Sequence, residues 1–172
     1  EILWRPGVDT GDEYQLLARL AEWLANHPTD QILTYNGVDF DLRHIQGRAS
    51  IVADEVRDPS LSELLHREFT VPTHRDLMHD VISRHGHRLS LEDAVEAHVG
   101  EQVPKTLWEG SRISNSDIPR LGEEWLNHRS GLVQLDYSED LKRTLEDYVK
   151  ADIDPLYALL DVFDGRTHLG EN

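Results

Sequence analysis

The stretch Ile32-Leu-Thr-Tyr-Asn-Gly-Val-Asp-Phe-Asp41 decides how this chain is read. A short apolar run rich in β-formers meets the turn pair Asn36-Gly37, and Phe40-Asp41 then opens a segment that can be helical. The order is strand, turn, helix, with a carboxylate at the helix start. Its counterpart lies far downstream in Tyr148-Val-Lys-Ala-Asp152, where a tyrosine and an aspartate stand four residues apart in an amphipathic run and so share one helix face.

Working outward, Glu1-Ile-Leu-Trp4 reads as the tail of a strand closed by Arg5-Pro-Gly7. Thr10-Gly-Asp-Glu13 fits a capping box, and Leu16, Leu17, Leu20, Trp23 and Leu24 follow at helical spacing until Asn26-His-Pro28. Residues 31–35 form a strand whose Ile32-Leu33 pair, without polar alternation, suits cover on both faces. A helix over 40–49 should turn Phe40, Leu42 and Ile45 inward, while Ile51-Val-Ala53 is ambiguous. Ser60-Leu-Ser-Glu63 opens a helix buried through Leu61, Leu64, Leu65 and Phe69. Val71-Pro-Thr-His74 is extended, and Pro72 argues against a central strand.

Further on, residues 76–85 read as a helix ended by Gly86, and Ser90 starts another with Gly100 at its C-terminus. Residues 101–118 lack periodicity and read as a loop anchored by Trp108. A short helix over 121–127 and a longer one from Ser138 follow. Pro155 predicts a kink or break just after Asp152, a last helix runs to Phe163, and the tail from Gly165 should fray. Strand, helix, strand with short links is the grammar of an α/β sheet, here helix-rich and expected as a single domain over 1–165 with a tail at 166–172.

Composition narrows the chemistry. There is no cysteine, so any metal must be held by carboxylate, imidazole or backbone oxygen. No apolar run approaches the roughly 18 residues of a membrane span and nothing resembles a signal peptide, so a cytoplasmic protein is expected. Against 17 Lys plus Arg stand 33 Asp plus Glu, a formal net charge of −16. Lys105, Lys142 and Lys150 are the only lysines. A carboxylate shell of this kind suits a salt-rich, halophilic cytoplasm, where screening relieves self-repulsion. A nucleic-acid partner would need local arginines or bridging cations, because phosphate contacts depend on basic groups. The only methionine is Met78, so Glu1 is not a natural start and earlier residues are expected.

Phosphodiester hydrolysis without cysteine or a phosphate-binding glycine loop commonly uses two hard divalent cations about 3.5–4 Å apart, with oxygen ligands gathered from several elements. Asp41 and Asp152 are candidate ligands of that kind, and Tyr148 is placed to orient an attacking water.

Thr34-Tyr-Asn-Gly-Val-Asp-Phe-Asp41 and Tyr148-Val-Lys-Ala-Asp152 resemble the second and third acidic motifs of the ribonuclease H-like 3′-to-5′ exonucleases. Within them the pattern is most similar to the YprB-type ribonuclease H-like domain and to the exonuclease domain of family B DNA polymerases. Residues 13–25, 76–79 and 89–92 also fall where the YprB-type pattern has similar segments. The resemblance implies a mixed sheet flanked by helices and two Mg²⁺ or Mn²⁺ ions. It implies Asp41 and Asp152 as metal ligands, Tyr148 as the catalytic tyrosine, and Asn36 and Phe40 beside a single-stranded DNA or RNA substrate. The family's first motif, Asp-x-Glu at the end of the first strand, has no counterpart here, since Asp9, Asp12 and Glu13 follow a Pro-Gly turn and read as helix N-terminal charges. The first strands are therefore expected before Glu1, which leaves this chain with half of the metal ligands, or the chain is a degenerate relative that binds without cutting. A neighbouring domain or partner chain is an expected partner.

Two other readings stand beside this one. The same fold can serve as an inactive module that binds nucleic acid or a protein. The pair His79-Asp80, with His66 and Asp93, also resembles an HD-type phosphohydrolase, which would place metal at His79 and Asp80. For His74 and Asp76 a structural hydrogen-bonding role is expected, and for Arg43, Arg48, Arg75 and Arg112 ion pairing with the abundant carboxylates rather than phosphate contact.

Overall fold

The computed structural model describes residues 2–27, 31–69 and 74–166. Three helices come first in packing: α1 (Thr10–Asn26), α2 (Asp41–Val56) and α3 (Ser60–Phe69). They bury Leu17, Ala21 and Leu24 against Leu42, Ala49 and Val52 and against Leu61, Leu65 and Phe69. The start of α1 lies one residue off the expected box. Asp9 is the N-cap, its carboxylate accepts from the Asp12 N–H, and the Asp12 side chain returns the bond to the Asp9 N–H. Glu13 is released from capping and instead takes the Arg48 guanidinium in two bonds of 2.6 and 2.7 Å, tying α1 to α2.

Strand β1 (Ile32–Thr34) pairs in parallel with β2 (His74–Asp76), Leu33 opposite Arg75 and Thr34 opposite Asp76. Helices α4 (Leu77–His85) and α5 (Leu91–His98) follow, then a two-strand hairpin of β3 (Leu107–Trp108) and β4 (Ser111–Arg112), then α6 (Ile118–Arg129) and α7 (Ser138–Phe163). The architecture is a helix-rich α/β fold with small sheets, as expected from the alternation of elements. No helix among the described residues is long and apolar enough to cross a membrane.

Helix α7 is the brace of the molecule. Its first half gives Leu141 and Leu145 to a cluster with Ile113, Leu121 and Trp125, and its second half gives Leu159 to a cluster with Leu77, Val81, Ala94 and Val95. Each fully buried leucine is worth about 1.5–3 kcal/mol relative to exposure, so both ends of α7 are firmly held. This explains why Pro155 does not break it. The missing N–H costs one rung opposite Ala151, but the helix runs unbroken to Phe163 because its two halves are pinned to separate clusters, with Pro155 itself buried. Asp152 lies where the helix passes from one cluster to the other.

Other expectations are corrected by packing. Residues 2–4 form no strand, and Trp4 packs against Trp125 with ring centroids 4.4 Å apart and the ring planes tilted by 45°. Helix α2 continues through Ile51-Val-Ala53, because Val52 and Ala53 fall on its buried face. Phe40 is 67% exposed rather than inward, and it precedes the first helical residue. The loop at 101–118 contains the hairpin, whose tip holds Glu109 and Gly110 at φ of 50° and 77°, a left-handed pair suited to a tight hairpin turn. Gly86 and Gly100 take left-handed conformations at the ends of α4 and α5 as read. The extended reading at 71–73 and most of the predicted tail fall outside the described residues.

Candidate active site

Asn36 sits at φ 63°, a left-handed position that asparagine tolerates better than most residues. The turn it begins is clamped by one carboxylate from the neighbouring strand. Asp76 Oδ1 accepts from the Asn36 N–H at 2.7 Å and from the Met78 N–H at 3.1 Å, and Oδ2 accepts from the Val38 N–H at 3.0 Å. Asp76 is 6% exposed and is the buried charged residue of the described core. One side chain thus caps α4 and closes the turn that launches α2. Gly37 permits the close return of the chain, since a Cβ there would lie 2.4 Å from the Thr34 Cβ. Thr34 is itself tied to His74 Nε2 at 2.9 Å. His74 and Asp76 therefore do the structural work expected of them.

This turn delivers Asp41 to the first position of α2, at the wall of a cleft of about 1030 Å³. Asn36, Asp41, Tyr148 and Asp152 all line that cleft, so the two sequence stretches more than a hundred residues apart meet in one space. Phe40 does not line it and stands exposed beside Asp41. Desolvation pushes the Asp41 carboxyl above its ordinary range, with the Asp76 charge adding to it and His44 opposing. Desolvation likewise raises Asp152, with a further contribution from Glu92. Among the described residues neither carboxylate has a hydrogen bond or an ion pair. Tyr148 donates its hydroxyl proton to Asn115 Oδ1, and burial and the Asp152 charge raise its pKa. Tyr35, whose hydroxyl donates to Leu89 O at 3.0 Å, is pushed up to about 12 by burial and by Asp76 and Asp93.

Three cleft residues had a weaker signal in the sequence. Glu92 lies within the first turn of α5 and reaches the field of Asp152 and Tyr148. Arg112 on β4 is ion-paired with Glu92, and Asn115 receives the tyrosine. Glu92 falls in the 89–92 segment singled out above, whereas nothing in a Ser-Asn-Ser run identifies Asn115. The arginines are paired as expected: Arg43 with Asp39, Arg48 with Glu13, Arg75 with Asp80 and Asp164, Arg112 with Glu92.

Two carboxylates raised by burial and lacking cationic partners are an all-oxygen donor set of the kind hard divalent cations take. They fit as two members of such a site. Among the described residues no three histidine or carboxylate side chains lie close enough together to hold a metal ion. His79 and Asp80 do not provide one either, Asp80 being held by Arg75 at 3.0 Å.

Residues 8–82 match the family model described as DNA polymerase family B, exonuclease domain. The matched stretch contains Asn36, Asp41 and Asp76 and ends before Glu92, Tyr148 and Asp152. No curated protein and no solved structure matches the chain. The match spans 75 of the 172 residues, and over that stretch the chain is similar to the exonuclease domain of family B DNA polymerases.

Proposed function

We propose that the cleft is the site of a divalent-metal-dependent 3′-to-5′ exonuclease acting on single-stranded DNA or RNA, with Asp41 and Asp152 as metal ligands. The observation that carries the reading is the convergence of Asp41, Asp152 and Tyr148 on one cleft, within a chain whose residues 8–82 match an exonuclease family. Bound Mg²⁺ or Mn²⁺ would neutralise charge at the scissile phosphate and acidify the attacking water. The protein's part is positional. Asp76 fixes the turn that holds Asp41, and α7, pinned at both ends, holds Asp152 and Tyr148 one turn apart. The Tyr148 hydroxyl, kept protonated by its raised pKa, stays a hydrogen-bond donor and acceptor at neutral pH and can orient the water once it leaves Asn115. Phe40, exposed beside Asp41, offers a face on which a terminal base can stack, and Asn36 offers an amide inside the cleft.

The absence of a three-donor cluster among the described residues favours a second reading, an inactive nucleic-acid- or protein-binding module on the same fold. A 5′-labelled oligonucleotide incubated with the protein and Mn²⁺ in high salt separates them. The exonuclease reading expects a ladder shortening from the 3′ end that disappears in Asp41→Asn and Asp152→Asn. Equal, trace degradation by the protein and both variants would leave only the binding module.

A further inference from the structure

The cleft poses an electrostatic problem for a polyanion. Its walls carry Asp41, Glu92 and Asp152 against two cations, Arg112 and Lys105, in a chain of net charge −16. Arg112 is the better placed of the two. It lies on β4 opposite Leu107, its neighbour Ile113 is 5% exposed, and the hairpin turn is closed by a left-handed pair, so the backbone beneath the guanidinium is fixed. Its field reaches Tyr148, which places it beside the proposed reacting centre. Its partner Glu92 belongs to a different element, α5, and both side chains of the pair remain 48% exposed.

We propose that Arg112 is the phosphate-binding cation of this cleft and that Glu92 occupies its guanidinium until a nucleic-acid phosphate displaces it. The inference rests on the nucleic-acid reading of the site. An exposed ion pair contributes only about 0–1 kcal/mol, so exchanging its carboxylate costs little. A phosphate accepts the planar guanidinium fork in two parallel bonds and brings more charge than the carboxylate it replaces. Glu92 then acts as a gate on affinity. It holds Arg112 when the cleft is empty, and its carboxylate repels a backbone that is not positioned to take the arginine.

The opposite signs expected for the two partners provide the test. Binding of a fluorescein-labelled oligothymidylate is followed by anisotropy between 50 and 200 mM KCl, without divalent metal, for the protein, Arg112→Ala, Arg112→Lys and Glu92→Gln. Arg112→Ala should weaken binding and reduce the slope of log affinity against log salt by about 0.7, the loss of one single-strand phosphate contact. Its deficit therefore shrinks about threefold over that fourfold rise in salt. Arg112→Lys should recover most of the slope, and Glu92→Gln should tighten binding. If the pair merely braces the hairpin, Glu92→Gln weakens binding as Arg112→Ala does, and the proposal falls. It falls as well if the protein binds and Arg112→Ala matches it in affinity and slope, while the nucleic-acid reading stands. No binding by the unaltered protein at any salt overturns both.

Discussion

Removing the Asp76 carboxylate should damage this protein more than removing either of the cleft aspartates. In Asp76→Ala three backbone N–H groups, of Asn36, Val38 and Met78, lose a charged acceptor at once. A hydrogen bond to a charged group contributes about 1.5–3 kcal/mol, and a donor left unsatisfied costs about 1–3 kcal/mol. The Met78 bond is buried and the other two are partly buried, so water can recover part of the loss. Taking low values for the latter two gives about 3–5 kcal/mol in total. For a chain of this length that corresponds to a fall in Tm of about 6–20 °C, and it is a large share of a typical 5–15 kcal/mol. Asp76→Asn keeps the oxygen that serves Asn36 and Met78 but turns an amide N–H₂ toward the Val38 N–H, so about 1–3 kcal/mol is expected. Urea denaturation and thermal melting measure both. If Asp76→Ala unfolds within about 1 kcal/mol of the unaltered protein, the turn is not held by this carboxylate and the account of how Asp41 is positioned is wrong.

Other predictions follow from the same geometry. Gly37→Ala places a methyl group 2.4 Å from the Thr34 Cβ, so the turn must shift, and a loss of about 1–3 kcal/mol is expected in the same denaturation assay. Asp152→Asn should raise Tm at neutral pH. The folded state raises this carboxyl's pKa, so its charge costs stability once pH exceeds the folded value, and the cost is relieved as pH falls towards the unfolded value of about 3.9. Melting curves at neutral and acid pH should show the variant's advantage shrinking in acid. Glu13 has the opposite sign, its pKa lowered first by the Arg48 hydrogen bonds. Its contribution is present above the unfolded value of about 4.3 and lost as pH falls through the folded value. Glu13→Gln should therefore destabilise by about 0.5–1.5 kcal/mol at neutral pH and by little in strong acid.

How much of this was legible in the sequence follows the range of the interactions involved. The strand, turn and helix around Asp41 and the helix carrying Tyr148 and Asp152 were readable because spacing and turn chemistry are local. Their meeting in one cleft was implied by resemblance rather than by any local pattern. The break expected at Pro155 does not occur, for the same reason. Its missing N–H is a local cost, whereas the two clusters that outweigh it through Leu145 and Leu159 are assembled from residues far apart in the chain. Phe40 shows the reverse case, an aromatic ring whose hydrophobicity predicts burial but whose place just before α2 leaves it in solvent. For Asp76 the sequence shows a helix start and a structural hydrogen-bonding role, but not the turn it holds. Its second role, on a turn some forty residues earlier, depends on the parallel pairing of Thr34 with Asp76.

The claim that Asp41 and Asp152 act together on one cation is tested most directly by Mn²⁺ titration of the full chain, read by the loss of the free-ion electron paramagnetic signal. The account predicts saturable binding that weakens at least about tenfold in Asp41→Asn and in Asp152→Asn, about 1.4 kcal/mol each. The double variant should lose little more than either single one, because the two ligands serve one site. Mn²⁺ affinity unchanged in both single variants would contradict it.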